Sequence, residues 1–481
     1  MNILEVLHVV GTLLVWIAVA MLPPTIMAVF EGLHLHWLGA VAATGTVGSV
    51  IWFLTPRRLS INPREGLAVV GLGWLAVVLF GSLPFLFTGV APPIKALFES
   101  VSGFTTTGAT IFPFVEDLPP SILLWRSMTH WIGGMGIIVL GVAILPMVGV
   151  GGAQLFRAEV PGVSGDRLTP RIASTARLLW VVYALLTAAV GVAYVVLGMP
   201  VFDAINHAMS VLATGGFSTR SESMGAFSPV IQSVTIAAMI LAGTNFTLTY
   251  RLLGGKWNAW FSDAEWRWFA GILGVASVSL FLYLGPANNE WSFDWFRAAV
   301  FSVTAVVTTT GFVTADFAAW PAFCQVVLLG LMFVGAMGGS TGGGFKVVRA
   351  VVVAKHTLSE IRKILHPRAV MVTKIGRRPV RPDVLLNILA FLALYVATHG
   401  IGTIILAALG YDLVTATSAA LAAMSSIGPG LGEVGPASNY ADLGSAAHLT
   451  LSALMLLGRL EFYTLLVLFI PGTWSRWGGD R

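Results

Sequence analysis

Long apolar runs, separated by short polar or charged stretches, dominate the pattern along the chain. A helix of about 18 or more apolar residues is long enough to cross the hydrocarbon core of a membrane. The pattern predicts ten membrane helices with these approximate bounds: 3–30, 36–55, 66–88, 121–148, 174–198, 228–253, 268–285, 320–354, 384–409 and 447–470. The sequence therefore predicts an all-α polytopic membrane protein. The first apolar run follows an acidic opening with no basic residues, so we expect no cleaved signal peptide.

Charged residues make up only 10% of the chain, against about a quarter in an ordinary soluble domain. Ten spans would bring both termini to the same side of the membrane. The connections on the opposite side hold few basic residues, namely Lys95, Arg126, Arg220 and Arg297. The positive-inside rule therefore predicts that both termini are cytoplasmic. The net charge of +5 reflects this topology, and because no basic stripe carries interleaved aromatic residues we expect no nucleic-acid binding.

Four shorter apolar stretches in the predicted outer connections end in small or hydroxyl residues followed by glycine. They lie at 102–110, 209–219, 307–314 and 424–430. Their glycines, Gly108, Gly215, Gly311 and Gly428, recur at intervals of about 100 residues. Each stretch falls between an outward and an inward span, so the unit is a helix, a re-entrant pore loop and a second helix. We expect four such repeats to surround one ion pore with pseudo-fourfold symmetry.

The residue types in these loops suit the passage of a cation. A re-entrant segment is tolerated at membrane depth only where its backbone lines a water-filled path. Carbonyl oxygens beside glycine, together with threonine hydroxyls, can replace the hydration shell of K⁺. Short pore helices are predicted near 93–105, 201–213, 294–307 and 412–425. Their C-terminal dipole ends favour a cation, and Asp203, Asp294 and Asp412 suit the N-terminal ends of three of them. For any one loop, the alternative is close helix packing at glycine.

Two features of the sequence suggest a gate. Residues 320–354 would form about 52 Å of helix, more than the membrane needs, and the glycine-rich stretch 335–344 is a poor helix former. We expect a helix broken at membrane depth that lines the pore, with a static kink as the alternative. Arg459 lies within the last apolar span, where a charge usually faces a cavity. It would act as an electrostatic barrier or bind the carbonyls of the broken stretch, and a structural ion pair is the alternative.

Several other functions find no support in the chain. No span carries a central ladder of Asp, Glu or His, which weighs against proton coupling. No Walker A sequence or Rossmann fingerprint occurs, so we expect no organic cofactor, and no residue set suits an intramembrane enzyme. A receptor-like or structural membrane scaffold is a further alternative. The basic connection 356–382 is expected to contact anionic membrane lipid or a cytosolic partner.

At these motifs the chain resembles the Trk/Ktr/HKT superfamily of K⁺ transporters, in which four potassium-channel-like repeats are joined in one chain. Beyond the four loops, the resemblance covers the segments 124–127, 131–136, 155–159, 339–344 and 458–461. The extra helix pair before the first repeat is closest to the Trk branch of membrane subunits, TrkH and TrkG. The resemblance implies K⁺ uptake across the bacterial inner membrane.

The resemblance also implies particular site residues. Oxygen ligands for K⁺ are implied at Thr106, Thr107, Gly108, Ala213, Thr214, Gly215, Thr309, Thr310, Gly311, Ser426, Ile427 and Gly428. An intramembrane gate is implied at Gly338, Gly339, Ser340, Thr341, Gly342, Gly343 and Gly344, with Arg459 beneath the filter. The family implies a homodimer and a cytosolic nucleotide-binding regulatory subunit of the TrkA kind. Because no loop has the full Thr-Val-Gly-Tyr-Gly pattern of potassium channels, Ala213 has no hydroxyl and Pro429 has no amide hydrogen, we expect weaker discrimination against Na⁺ and Rb⁺.

The predicted organisation follows from these spans and loops. It comprises an N-terminal helix pair (1–60), pore repeats at 61–150, 165–255, 266–355 (with the broken second helix) and 383–472, the basic cytoplasmic connection 356–382, and a tail at 473–481. The membrane potential is expected to drive K⁺ inward, and symport of K⁺ with H⁺ or Na⁺ is the alternative mechanism.

Overall fold

The computed structural model describes residues 2–55, 63–139, 169–287, 291–369, 371–376 and 378–470. The motif at 155–159 and the predicted tail at 473–481 lie outside these residues. The described chain is mostly helical, and its two short strands, β1 (Lys374–Ile375) and β2 (Arg378–Pro379), pair antiparallel with Lys374 opposite Pro379. The prediction of an all-α membrane protein is confirmed.

The described helices include long apolar segments and shorter ones. In chain order they are α1 (Ile3–Ala20), α2 (Leu22–Phe30), α3 (His34–Leu54), α4 (Pro63–Gly81), α5 (Leu83–Phe87), α6 (Pro93–Phe104), α7 (Pro120–Val139), α8 (Thr169–Val196), α9 (Val201–Leu212), α10 (Pro229–Gly243), α11 (Phe246–Leu253), α12 (Asn258–Ser262), α13 (Ala264–Ala287), α14 (Phe293–Val307), α15 (Ala322–Val334), α16 (Val347–Leu365), α17 (Pro382–Ala408), α18 (Leu413–Ser425), α19 (Ser445–Arg459) and α20 (Tyr463–Leu466). The helices α6, α9, α14 and α18 match the four predicted pore helices closely.

Local capping explains where the pore helices begin. Asp412 accepts hydrogen bonds from the backbone N–H groups of Val414 (2.8 Å) and Thr415 (3.1 Å), so it caps α18. Hydrogen bonds from the side chain and backbone of Thr415 hold the pKa of the Asp412 carboxyl below its ordinary value. Asp203 and Asp294 lie in the first turns of α9 and α14, as predicted. These acids complement the positive N-terminal ends of three pore helices.

By length and composition, six described helices or helix pairs can each cross a membrane: Ile3–Phe30, His34–Leu54, Glu65–Phe87, Ala176–Val196, Ala264–Ala287 and Pro382–Ala408. Two spans predicted as continuous are bent, and those predictions were wrong in this respect. The segment predicted at 228–253 turns by 112° between α10 and α11, and the segment predicted at 447–470 turns by 107° after α19.

Each bend has a local cause. Asn245 ends the first half of its segment and caps α11 by accepting a hydrogen bond from the Thr247 N–H (2.8 Å). In the last segment, Glu461 and Phe462 adopt left-handed φ values of 57° and 46°, which end the helix. Glu461, within this turn, pairs with Arg349 at 2.8 Å.

The predicted interruption of the helix at 320–354 is present. Helix α15 ends at Val334, α16 begins at Val347, and residues 335–346, the broken segment, are irregular between them. Three glycines of the broken segment, Gly335, Gly339 and Gly344, have φ values of 75°, 74° and 76°. Helix α16 continues to Leu365, so part of the predicted connection 356–382 is helical.

The N-terminal helices pack on the first repeat through a polar contact at the start of α7. The Glu31 carboxylate accepts hydrogen bonds from Ser121, whose backbone N–H lies 2.8 Å away. The indole N–H of Trp37 donates to the Ser121 hydroxyl at 3.2 Å, and the Trp37 ring meets Trp125 edge-on at 6.2 Å. The extra helix pair is thus joined directly to a helix of the first repeat.

Candidate functional site

All four pore helices end in the same backbone turn. One or two residues after the last helical residue, the chain adopts a left-handed φ. This φ is 54° at Thr106, 52° at Thr214, 57° at Thr309 and 56° at Ser426. The next residue donates its N–H back across the helix end, in the bonds Thr107 to Ser102, Gly215 to Ser210, Thr310 to Ala305 and Ile427 to Ala422, at 2.8 to 2.9 Å. This is the Schellman pattern of helix termination. Four non-glycine residues in this rare conformation indicate an over-determined, functional turn.

The turn corrects the predicted register of the second loop. The glycine two residues after the left-handed residue is Gly108, Gly216, Gly311 or Gly428, with φ of 82°, 84°, 71° and 94°. We call these four the ring glycines. Gly215 was predicted to be the second of them, and it instead occupies the place of Thr107, Thr310 and Ile427. Ala213 matches Thr105 and lies outside the aligned triplet. The second loop contains two consecutive glycines, so its sequence alone does not show which of them aligns with the ring glycines of the other loops. The position of the helix end decides which glycine needs a positive φ.

The loops following the pore helices, residues 105–110, 213–218, 308–313 and 425–430, are pore loops 1 to 4. They form a closed ring, as their mutual contacts show. A Cβ added to Gly108 would overlap the Gly215 carbonyl oxygen of loop 2, and one added to Gly216 would overlap the Thr310 oxygen of loop 3. A Cβ on Gly311 would overlap the Ile427 oxygen of loop 4, and one on Gly428 would come within 2.7 Å of the Thr107 oxygen of loop 1. Each loop therefore abuts the next, and the fourth returns to the first.

The ring closes the floor of an open cavity of about 530 Å³, the vestibule. All four ring glycines line it, together with residues that follow them in each loop, such as Thr110, Ser218 and Val313. The polar wall includes Glu222, Asp316 and Asn439. Main chain from all four pore loops therefore lines one cavity.

Hydroxyl groups support three of the loops from behind. Thr105 and Thr107 share a hydrogen bond at 2.8 Å, and Thr308 and Thr310 do the same at 2.8 Å in loop 3. In loop 4 the Ser425 hydroxyl bonds the Tyr395 hydroxyl at 2.6 Å. The same pair of threonine hydroxyls therefore braces loops 1 and 3 in the same way.

Tyr440 also supports loop 4, from the vestibule side. Its hydroxyl donates to the carbonyl oxygen of the ring glycine Gly428 at 2.6 Å. Neither Tyr395 nor Tyr440 was predicted from sequence, because no local pattern shows that these hydroxyls contact loop 4.

Glu99 and Arg126 form a buried ion pair behind loop 1. Arg126 Nε lies 2.8 Å from Glu99 Oε1, and the two residues are 1% and 0% exposed. Glu99 also accepts hydrogen bonds from the Thr110 hydroxyl (3.0 Å) and the Ile111 N–H (2.9 Å). Arg126 was expected in an outer connection, and it is instead inside α7, where it donates to the Ser218 carbonyl of loop 2 at 3.2 Å. The pair thus joins the outward ends of loops 1 and 2.

Substituting Glu99 by glutamine should destabilise the protein, because Arg126 would be left as a buried charge without its counter-ion. Breaking such a pair on one side costs about 3 to 5 kcal/mol. We expect thermal unfolding in detergent to occur at a clearly lower temperature. The control is Glu360→Gln, which removes the acid of an exposed pair with Lys363 and should leave the transition unchanged. Equal transitions for both variants would mean that the buried pair does not hold the loops.

The broken segment lies at the opposite end of the loops from the vestibule. The Gly343 N–H donates to the Thr309 hydroxyl at 2.7 Å, and the Thr341 hydroxyl donates to the Leu212 carbonyl at 3.0 Å. A Cβ added to Gly343 would overlap the Ser425 carbonyl oxygen. The segment therefore touches loops 3 and 4 and the end of α9 on the side of the helix ends.

Arg459 is buried and holds the broken segment by a main-chain carbonyl. Its Nη1 donates to the Thr341 carbonyl at 2.7 Å, and the residue is 3% exposed. Among the described residues no carboxylate lies within ion-pair distance of Arg459, and its Nε and Nη2 atoms have no hydrogen-bond partner. Of the predicted alternatives for Arg459, the geometry matches binding to the carbonyls of the broken segment, because the nearby acid Glu461 pairs with Arg349.

Other contacts fasten the broken segment, and sequence analysis missed them. Glu265 accepts a hydrogen bond from the Gly338 N–H at 2.8 Å, and the Lys346 ammonium donates to the Gly342 carbonyl. The Gly339 carbonyl accepts the Phe246 N–H at 3.1 Å, at the bend between α10 and α11. Lys346 in a glycine-rich break was a usable signal, since a charge in an apolar span needs a partner. In the described part of the chain no cluster of His, Cys, Asp or Glu suits a resident metal ion.

Four pore loops in a closed ring, each carried by a short buried helix between apolar membrane helices, define a polytopic membrane protein of the pore-loop class. A family model described as "TrkH: Cation transport protein" matches residues 37–280 and 292–475. The chain belongs to this family, and it is a transporter rather than an enzyme.

Individual relatives agree with this assignment. The Trk system potassium uptake protein TrkH of Halomonas elongata is 39% identical, over 99% of this chain and 100% of that protein. TrkH of Escherichia coli (strain K12) is 38% identical over 98% and 100%, and TrkG of the same strain is 36% identical over 98% and 98%. The crystal structure of the potassium transporter TrkH from Vibrio parahaemolyticus matches with a TM-score of 0.91 at 37% identity, covering 99% and 100% of the two chains. The resemblance to the Trk branch is confirmed.

Proposed function

We propose that this protein takes up K⁺ through the ring of pore loops, across the inner membrane of a bacterium and with both termini in the cytoplasm. The closed cycle of contacts between each ring glycine and the next loop is the observation that carries the proposal. Rings of main-chain oxygens can replace the water around a monovalent cation. The names of the relatives, which are potassium uptake proteins, support K⁺ as the ion. The membrane potential supplies about 2.3 kcal/mol per charge for each 100 mV.

In this proposal the ligands come from one aligned triplet in each loop. The first position of the triplet is held by Thr106, Thr214, Thr309 and Ser426 in the four loops, the second by Thr107, Gly215, Thr310 and Ile427, and the third by the ring glycines. Ala213 leaves the ligand set because of the corrected register. The broken segment, with Gly338 to Gly344, is the gate, and Arg459 holds it closed beneath the ring.

Assembly with other chains is part of the same proposal. The homodimer and the cytosolic nucleotide-binding regulatory subunit rest on the family resemblance. The exposed basic residues of α16 and the segment after it, including Arg362 and Arg368, suit anionic lipid or the docking of such a subunit.

Ion flux through purified protein in liposomes tests the function. Under a K⁺ gradient the wild-type protein should carry K⁺ and rescue growth of a bacterial strain deficient in K⁺ uptake at low K⁺. The reversal potential should follow the K⁺ gradient alone, and a shift with an imposed H⁺ or Na⁺ gradient would show symport instead. An absence of flux and of rescue would leave a structural or receptor-like scaffold as the better account.

We expect K⁺ to be preferred over Na⁺ less strongly than in a strict potassium channel. Each loop contributes one short turn with a single ring glycine, and loop 4 continues with Pro429, which has no N–H to order the next layer. Fewer ordered carbonyl layers leave fewer sites at which the two ions differ. Bi-ionic reversal potentials for K⁺ against Na⁺ and Rb⁺ measure this preference. Exclusion of Na⁺ as complete as in a strict potassium channel would contradict the expectation.

A further inference from the structure

Loop 2 lacks the internal support that loops 1 and 3 share. Those loops carry threonine at two positions, and the hydroxyls bond each other at 2.8 Å. The corresponding residues of loop 2 are Ala213 and Gly215, which have no hydroxyl and little side chain. Interiors of proteins are packed without voids, so a missing side chain must be replaced by other atoms if the loop is to keep its position.

The imidazole of His130 occupies that place. A Cβ added to Gly215 would overlap three ring atoms of His130, including Nδ1 and Cγ, and no other atoms lie nearer. Gly215 does not need a positive φ, so the backbone alone does not demand glycine there. The space that a side chain at position 215 would occupy is therefore filled by the imidazole of His130, which belongs to α7.

His130 is itself fixed on several sides. It is fully buried, its Nδ1 lies 3.1 Å from the Ser210 hydroxyl of α9, and its ring stacks on Phe217 with centroids 4.0 Å apart. Phe217 directly follows the ring glycine Gly216, and Arg126 lies over the same ring at 4.1 Å. One turn further along α7, a Cβ on Gly134 would come within 3.0 Å of Ala213 Cα. The face of α7 that carries His130 is therefore shaped to the back of loop 2.

We propose that His130 is a positioning residue for pore loop 2, and that its imidazole holds the Gly215 peptide where it can contribute to the choice of K⁺ over Na⁺. The inference rests on the proposed function, the passage of K⁺ through the ring. In loops 1 and 3 the same task falls to a threonine of the loop itself. The ring thus has pseudo-fourfold main-chain geometry with different side-chain supports.

Moving side-chain volume from α7 to loop 2 by substitution tests this assignment. The variants are His130→Ala, Gly215→Thr, and the combination of His130→Ala with Ala213→Thr and Gly215→Thr, which gives loop 2 the threonine pair of loops 1 and 3. The control is His8→Ala, which removes a half-buried, hydrogen-bonded histidine from α1, outside the repeats. Bi-ionic K⁺/Na⁺ permeability ratios are measured in liposomes, and size-exclusion profiles and thermal unfolding establish that each variant is folded.

For His130→Ala we expect the K⁺/Na⁺ permeability ratio to fall by about tenfold, which corresponds to about 1.4 kcal/mol of discrimination. Gly215→Thr alone should lose uptake, because its side chain meets the ring of His130. The combined variant should recover uptake and selectivity, which loss of folding alone could not produce. His8→Ala should match the wild type.

Two results would overturn the inference while leaving the proposed function intact. One is an unchanged permeability ratio in folded His130→Ala, and the other is a combined variant no better than Gly215→Thr. Should His130→Ala fail to fold, the combined variant still decides, since it lacks the same histidine. A wild-type protein that carries no K⁺ would remove the proposed function, and this inference with it.

Discussion

Replacing Gly311 by alanine should abolish K⁺ uptake while leaving the protein folded in the membrane. Gly311 has a φ of 71°, where a Cβ is strained, and an added Cβ would overlap the Ile427 carbonyl oxygen and reach Pro429 Cδ at 3.0 Å. Neither atom can move aside by a change of rotamer, because the Ile427 oxygen belongs to the main chain and Pro429 Cδ belongs to a proline ring. A local strain of about 3 kcal/mol corresponds to about 100-fold, so uptake into liposomes should fall at least that far.

Gly330→Ala is the matched control for this substitution. Gly330 lies in α15 of the same repeat, and a Cβ there would meet no heavy atom within 4 Å. Alanine also favours the helix, so uptake and expression should equal those of the wild type. If Gly311→Ala transports K⁺ as well as Gly330→Ala does, the ring of pore loops is not the path of the ion.

Replacing Arg459 by alanine should increase K⁺ flux. The substitution removes a positive charge beneath the ring and the hydrogen bond of 2.7 Å that holds the Thr341 carbonyl of the broken segment. A hydrogen bond to a charged group contributes about 1.5 to 3 kcal/mol. Its loss should favour the open arrangement by about tenfold or more. Flux in liposomes, normalised to the amount of inserted protein, measures the effect.

Two further variants at this position separate the charge of Arg459 from its hydrogen bond. Arg459→Gln keeps donor hydrogens without the charge, and Arg459→Lys keeps the charge on a different shape. If Arg459→Gln carries as much K⁺ as Arg459→Ala, the charge of Arg459 is the barrier. If its K⁺ flux equals that of the wild type, the hydrogen bond to Thr341 is what restrains the flux. Unchanged flux in normally expressed Arg459→Ala would remove Arg459 from the gate.

The elements that sequence predicted well are those set by local signals. The four pore helices lie within a few residues of their predicted bounds, because each begins at a proline or at a capping Ser or Asp and ends at a run of small and hydroxyl residues. The broken helix was predictable for a similar reason, since glycine disfavours helix wherever it is concentrated. Periodic recurrence of the loops then predicted the ring.

The errors arise where the folded geometry, rather than the apolar pattern, decides the local structure. In loop 2, Gly215 and Gly216 are equivalent by sequence, and only the turn at Thr214 shows which of them is the ring glycine. The bend at Asn245 lies in an apolar run, and backbone groups beside it, at Gly243 and Phe246, form hydrogen bonds with the broken segment more than 90 residues away. The periodicity of apolar residues reveals neither the turn in loop 2 nor the bend at Asn245.

The supports behind the loops were unpredictable for the same reason. Glu99 and Arg126 are 27 residues apart, and His130 and Ser210 are 80 residues apart. Arg126 resembled an ordinary loop cation at the edge of a span, and its burial became evident only from the packing of α7 against α6. The hydrophobic pattern predicts which segments are buried, but the pairing of polar side chains between segments depends on the assembled fold.

If main chain from the four pore loops binds a monovalent cation on one axis, an ordered ion should lie at the centre of the ring. Anomalous X-ray scattering from crystals of the protein grown in Rb⁺ or Tl⁺ would locate such an ion. We expect an anomalous peak on the axis enclosed by Gly108, Gly216, Gly311 and Gly428. Ordered ions found only away from that axis, in a protein that transports the same ion in liposomes, would contradict it.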